Sequence, residues 1–284
     1  RAKYSLICNQ TGGIIDDLIV YRLADEDFLV IANAGNREAV AEALKARTAG
    51  FDVELRDESD NFGLLAVQGP RAVAILQTLT DTQLSELKYY SIDAGRLAEI
   101  DVFFARTGYT GEDGFEILVR AEHSAEIWNS LLQAGESKGL VPAGLACRDT
   151  LRLEAGMPLY GHELSRETNP FQAGFGRVVR LDREEDFVGR AALEALAGEA
   201  QSRKLVGLQG EGKRAARAEY QIFAGDAAIG EVTSGALSPT LGYPVAMAYV
   251  ATEHAEVGSV VSVDIRGTMT DFTVVTLPFY KRNK

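Results

Sequence analysis

The residue pattern predicts an α+β fold that gives way, near residue 195, to a small antiparallel barrel or sandwich. Up to that point, segments of strand period alternate with segments of helical period. Beyond it, short strand-like runs are parted by Gly, Pro and Asp turns, with no long helical period. A third observation is the stretch Thr11-Gly12-Gly13-Ile14-Ile15-Asp16-Asp17, in which two glycines permit a tight bend and the strand that follows carries two carboxylates at its root. Side chains alternate along a strand, so Asp16 shares a face with Leu18 and Val20, and Asp17 with Ile19 and Tyr21. At least one acid therefore faces a largely apolar side. Such an acid is either a turn residue satisfied by backbone N–H groups or a carboxylate at the floor of a ligand cavity, and spacing leaves both open.

Residues 4–9 and 14–23 read as strands around the glycine turn, and acidic Asp25-Glu26-Asp27 leads into a third at 28–32. A helix follows, with Asn36 as N-cap, Val40 and Leu44 one turn apart, and Gly50 to close it. Strands are expected at 51–56 and 62–68. Gly69-Pro70 then opens a second helix with proline in its first turn, striped by Ala72, Ile75, Leu76 and Leu79. A strand at 100–107 runs through Gly108-Tyr109-Thr110-Gly111-Glu112-Asp113-Gly114 into another at 115–119, and a helix follows with Ile127, Trp128, Leu131 and Leu132 on one face. This order suggests a sheet covered by helices on one side.

The segment 143–155 is helical in period and carries Arg148, Asp149, Arg152 and Glu154. A surface helix laced with ion pairs would account for the charges, but Leu145, Leu151 and Leu153 around the same circumference imply that some charge is carried inward, where it needs partners. Glu116 is a candidate partner or co-ligand. From about 195 the strands fall at 205–209, 220–223, 228–234, 245–250, 259–266 and 270–276, dividing the chain into regions 1–195 and 196–284.

With 46% hydrophobic and 25% charged residues, 284 residues have ample material for a packed core. A net charge of -12 argues against a nucleic-acid partner, whose binding draws on Lys and Arg neutralising phosphates. The dense basic run Lys213, Arg214 and Arg217 is a solvated loop or a meeting point for an acidic partner. Cys8 and Cys147 lie in apolar surroundings without CxxC spacing, as buried thiols of a reducing compartment, and His123, His162 and His254 lack metal-ligand spacing. No apolar run reaches the roughly 18 to 20 residues of a membrane-spanning helix, and the cytoplasm is the expected compartment. The chain begins in an immediate strand pattern at Arg1, so a preceding segment is expected to complete the fold.

Generic catalytic templates are absent: no Gly-x-Ser-x-Gly elbow, no Gly-Lys-Ser/Thr phosphate loop, no dinucleotide fingerprint. What remains is Asp16 and Glu116 with Arg148 and Tyr109, a set suited to a polar heteroaromatic ligand. A carboxylate offers two coplanar acceptors to the N–H and NH₂ pair of a 2-amino-4-oxo-pyrimidine ring; Arg offers the opposite fork, and Tyr an aromatic wall.

The motifs Tyr4-Ser5-Leu6-Ile7-Cys8-Asn9 with Gly12-Gly13-Ile14-Ile15-Asp16-Asp17, Val67-Gln68-Gly69-Pro70, Arg106-Thr107-Gly108-Tyr109-Thr110-Gly111-Glu112, Gly144-Leu145-Ala146-Cys147-Arg148-Asp149-Thr150-Leu151-Arg152-Leu153-Glu154-Ala155-Gly156, and Thr233-Ser234-Gly235 with Ser238-Pro239-Thr240-Leu241-Gly242 are in the sequence in this order. Together they resemble the aminomethyltransferases, the T-proteins of the glycine cleavage system. The resemblance covers essentially the whole chain, with the leading part of the family's first domain absent.

The resemblance implies a multi-lobed, folate-binding α+β fold with a ferredoxin-like part and a C-terminal antiparallel β-barrel. It implies transfer of a one-carbon unit from the aminomethyl-dihydrolipoyl arm of the H-protein to tetrahydrofolate, with release of ammonia. The family's essential carboxylate falls on Asp16, its pterin-gripping glutamate on Glu116, its folate-contacting arginine on Arg148, its aromatic neighbour on Tyr109 and a polar cavity residue on Asn33. Two other classes stay open: folate-dependent demethylase relatives, and non-enzymatic folate binders that assist iron–sulfur assembly. The latter carry Lys-Gly-Cys-x-x-Gly-Gln where this chain has Leu159-Tyr160-Gly161-His162-Glu163.

Overall fold

A computed structural model describes residues 1–282 and divides the chain into two compact units. The first holds Arg1–Tyr4 and Leu18–Arg148; the second holds Ser5–Asp17 and everything from Asp149 on. Strands β1 (Ala2–Cys8), β2 (Ile14–Arg22) and β3 (Phe28–Ile31) form one sheet in that order. Unit membership changes within β1 and β2, between Tyr4 and Ser5 and between Asp17 and Leu18.

In the first unit, β2 pairs antiparallel with β3 from Ile19 opposite Ile31 to Arg22 opposite Phe28. Helix α1 (Arg37–Arg47) starts after Asn36, whose side chain makes no cap hydrogen bond; Val40 is its buried residue. A four-stranded antiparallel sheet follows in the order β4-β7-β6-β5, built of β4 (Phe62–Gln68), β5 (Ile92–Leu97), β6 (Ile100–Ala105) and β7 (Gly114–Arg120). Helices α2 (Ala72–Leu76) and α3 (Ser124–Gly135) cover it. Phe115, Ile117 and Val119 of β7 are fully buried in one core with Ala72 and Leu76 of α2 and Ile127 and Leu131 of α3. By strand alternation, Glu116 therefore lies on the face of β7 turned away from those helices.

The second unit contains a closed six-stranded barrel in the order β10-β11-β8-β13-β12-β9, which decides between barrel and sandwich. Its strands are β8 (Arg203–Gly210), β9 (Gln221–Ala224), β10 (Ala227–Leu237), β11 (Pro244–Ala251), β12 (Val260–Asp264) and β13 (Met269–Val275). Val206, Leu208, Val232, Ala248, Val263 and Phe272 fill it. Helix α4 (Leu145–Glu154) passes from one unit into the other after Arg148, and α5 (Arg190–Gly198) precedes the barrel.

Several expectations are corrected. Residues 51–56 form no strand: Phe51, Val53 and Leu55 alternate as a strand would, yet all three are exposed with no strand to pair with. Pro70 precedes α2 rather than sitting in its first turn. Trp128 is 42% exposed, so the buried face of α3 is Ile127 and Leu131. Cys147 is exposed because the start of α4 is uncovered, every residue from 141 to 149 being exposed, Leu145 included at 84%; Cys8 is buried as expected. Strand β5 and helix α5 escaped the pattern, and β5 owes its conformation to antiparallel pairing with β6.

Candidate active site

The approach to Glu116 is shaped by the loop between β6 and β7. Arg106 clamps its base, donating to both oxygens of Asp113 at 3.1 and 2.7 Å, and also to the Leu87 carbonyl at 2.7 Å. Inside the loop, the Gln68 amide donates to the carbonyls of Thr107 at 3.2 Å and Phe115 at 3.0 Å. A Cβ on Gly108 would stand 2.0 Å from Gln68 Oε1, so a side chain there would displace the Gln68 amide from its two carbonyls.

Glu116 pairs across the sheet with Ala66 on β4 and with Ala105 on β6. Two small neighbours leave room over the carboxyl, and Ala66 is exposed. On the Ala105 side, fully buried Tyr21 packs into the same cluster. Thr107, two residues past Ala105 and 1% exposed, donates its hydroxyl to Glu116 Oε2 at 2.5 Å and stands 2.9 Å from the Tyr21 phenol oxygen.

Two charges bear on the same place. The guanidinium of Arg148 lies 4.5 Å from the Tyr109 ring centre, a cation–π stack that holds a planar cation against an aromatic wall. Burial pushes the Glu116 carboxyl above its ordinary range, while the Thr107 hydroxyl and the positive Arg148 oppose that rise. Burial likewise raises Tyr21, which keeps its phenol protonated.

Tyr109, Glu116 and Arg148 are thus brought together in the first unit. Asn33, in the same unit, follows β3, half-buried, with its carbonyl accepting the Asn36 N–H at 2.9 Å. Asp16 belongs to the second unit and is wholly buried on β2. The turn before it is fixed from inside: Asn9 Oδ1 accepts the N–H groups of Thr11 and Gly13, each at 2.9 Å, and the Ile14 N–H reaches the carbonyls of Ser165 and Thr168, each at 3.1 Å. Tyr21 and Thr107 were missed as site residues. The signal for Thr107 was available: hairpin alternation places it on the Glu116 face, diagonal to it.

The inward charge foreseen for α4 is Arg152, wholly buried, but its partner is not Glu116. It donates to Asp149 Oδ1 at 2.8 Å, Glu163 Oε2 at 2.9 Å, Ser234 Oγ at 2.7 Å and the Met157 carbonyl at 3.2 Å. Buried Glu154 accepts from the hydroxyls of Ser238 at 2.5 Å and Thr240 at 2.7 Å. The Thr233 to Gly242 motif therefore serves the end of α4. Among the described residues no cluster of His, Cys, Asp and Glu could hold a metal ion, and no helix is long and apolar enough to cross a membrane.

Comparison with known proteins identifies the family. Residues 1–183 match the GCVT N-terminal domain, and residues 203–281 the glycine cleavage T-protein C-terminal barrel domain. An aminomethyltransferase of Streptomyces coelicolor is 57% identical over 100% of this chain and 77% of its own length. One from Bacillus subtilis is 43% identical over 99% of this chain and 78% of its own. The crystal structure of the glycine cleavage system aminomethyltransferase T from Bartonella henselae superimposes with a TM-score of 0.90 at 36% identity, covering 99% of this chain and 76% of that one. The chain belongs to the aminomethyltransferase family, the T-proteins of the glycine cleavage system.

Proposed function

We infer that the protein is a tetrahydrofolate-dependent aminomethyltransferase. It takes the aminomethyl group from the dihydrolipoyl arm of the H-protein, releases ammonia and yields 5,10-methylenetetrahydrofolate. Tetrahydrofolate is the co-substrate that accepts the one-carbon unit. The observation that carries this reading, beside family membership, is a largely buried carboxylate between two alanines, with Arg148 stacked on Tyr109 beside it. That donor and acceptor set fits a pterin: Glu116 accepts from the N–H and NH₂ edge, Arg148 faces carbonyl or carboxylate oxygens, Tyr109 supplies an apolar wall, and Asn33 adds a polar contact.

Asp16 is proposed as the catalytic carboxylate. Positive charge develops at the reacting carbon as ammonia leaves, and a fixed carboxylate stabilises that charge and orients the attacking amine. Asp16→Asn should keep the fold and most folate binding but lower turnover, assayed with lipoylated H-protein and tetrahydrofolate, by on the order of 10² to 10⁴. Undiminished turnover in that variant would refute the role.

The proposed domains are residues 1–195 and 196–284, the second supported by the barrel's closed sheet and separate core. The proposed compartment is the cytoplasm, in keeping with two free cysteines. The proposed macromolecular partner is the H-protein, docking on the exposed basic run Lys213, Arg214 and Arg217.

A further inference from the structure

A threonine hydroxyl has one hydrogen to give. Thr107 gives it to Glu116 Oε2, so the contact between Thr107 Oγ1 and the Tyr21 phenol must run the other way, with Tyr21 donating. The chain of donation has a single direction, from Tyr21 through Thr107 to Glu116. Both hydroxyl residues are buried, so neither has bulk water as an alternative partner.

We propose that Tyr21 and Thr107 are positioning residues that hold Glu116 as an ionised acceptor, with Oε2 pinned through one lone pair and both oxygens still able to accept from the N–H and NH₂ edge of the ligand. A proton on Oε2 would reverse the chain, with Oε2 donating to Thr107 and Thr107 to Tyr21, and strand the phenol hydrogen of Tyr21 in a buried place. A proton on Oε1 would reduce a charge-assisted bond to a neutral one. Either way the relay penalises the neutral carboxyl, which cannot present two acceptors to an N–H and NH₂ pair.

Burial works against the relay, and the groups facing the carboxyl decide the balance. They are Arg148 from α4, Thr107 from the loop after β6, Tyr21 from β2 through Thr107, and Tyr90 ahead of β5, whose phenol feels the Glu116 charge. Only Arg148 is cationic, and it is exposed, so the hydroxyl relay is the buried contribution favouring the charged form. Ala66 and Ala105 beside Glu116 carry no polar group that could substitute.

The proposal rests on Glu116 gripping folate, and the test separates the two. Binding of 5-formyltetrahydrofolate is titrated between pH 5 and 9 for the full chain and its variants. Ionised Glu116 is required, so affinity should fall as pH drops through its native pKa, and Glu116→Gln should weaken binding and abolish that limb. Thr107→Val should weaken binding at pH 7 about tenfold and move the acid limb up by about one pH unit, while Thr107→Ser should restore both. Thr107→Val leaves the Tyr21 phenol unpaired and could unfold. The double variant Tyr21→Phe/Thr107→Val removes both hydroxyls, leaves no unpaired hydroxyl, and should show the same shift with normal circular dichroism. Wild-type affinity and an unmoved limb in the folded double variant, with binding lost in Glu116→Gln, would overturn the relay alone. Unchanged binding in Glu116→Gln would remove the folate role of Glu116 and the relay with it.

Discussion

Arg152 shows how far single residues can be understood from sequence. The leucines around α4 announce that a charge goes inward, and Asp149 one turn before Arg152 is a partner that helical spacing offers, yet the buried partners lie 11 residues away at Glu163 and 82 away at Ser234, distances at which periodicity carries no information. Glu116 is a candidate partner or co-ligand by sequence because it lies on a strand just past the glycine-rich turn. Glu163 is wholly buried as well, so removing the guanidinium leaves an uncompensated carboxylate, and the Leu159 N–H that Glu163 Oε2 accepts at 2.8 Å cannot replace a cation. Arg152→Met should therefore cost about 3–5 kcal/mol in urea unfolding, and adding Glu163→Gln should recover part of that loss. Thr107 was legible in principle, since strand alternation places it beside Glu116; the short relay to Tyr21 was not, because it joins positions 86 residues apart.

Among the elements, those with a strong period and a ready partner were readable: β4 matches its expected bounds, and the barrel strands fall within a few residues of theirs. The segment 51–56 has the period without the partner, and β5 has the partner without the period. A strand is a relation between segments, which is why local pattern misjudged both. The turn ahead of β2 was read correctly as a place for glycines, and the structure separates their two reasons. Gly12 needs its positive φ of 85°, whereas Gly13 needs space: a Cβ there would stand 1.8 Å from the Arg166 carbonyl oxygen and 2.9 Å from Asn9 Nδ2. Backbone must move to admit it, and the moving backbone leads into the strand that carries Asp16. Gly13→Ala should cost roughly 2–4 kcal/mol, while Gly35→Ala, with nothing within 4 Å of its Cβ, should stay within about 0.5 kcal/mol, both by thermal unfolding.

For the molecule as a whole, a net charge of -12 makes association with any acidic partner unfavourable at long range unless local positive charge offsets it. Lys213 and Arg214 are exposed in the segment between β8 and β9, and Arg217 nearby donates to the Gly235 carbonyl at 2.8 Å, which ties it to the barrel. Reversing the first two to Glu therefore changes the field with no hydrogen bond of Arg217 disturbed. If the H-protein docks there, Lys213→Glu/Arg214→Glu should slow its association several-fold at low ionic strength. The deficit should shrink toward nothing by about 0.3 M salt, where the screening length falls well below 10 Å. Dissociation rates and the midpoint of thermal unfolding should hardly move, because these side chains are solvated at the surface. Stopped-flow association measured across a salt series decides it: an on-rate equal to wild type at the lowest salt would mean that the carrier docks on another surface.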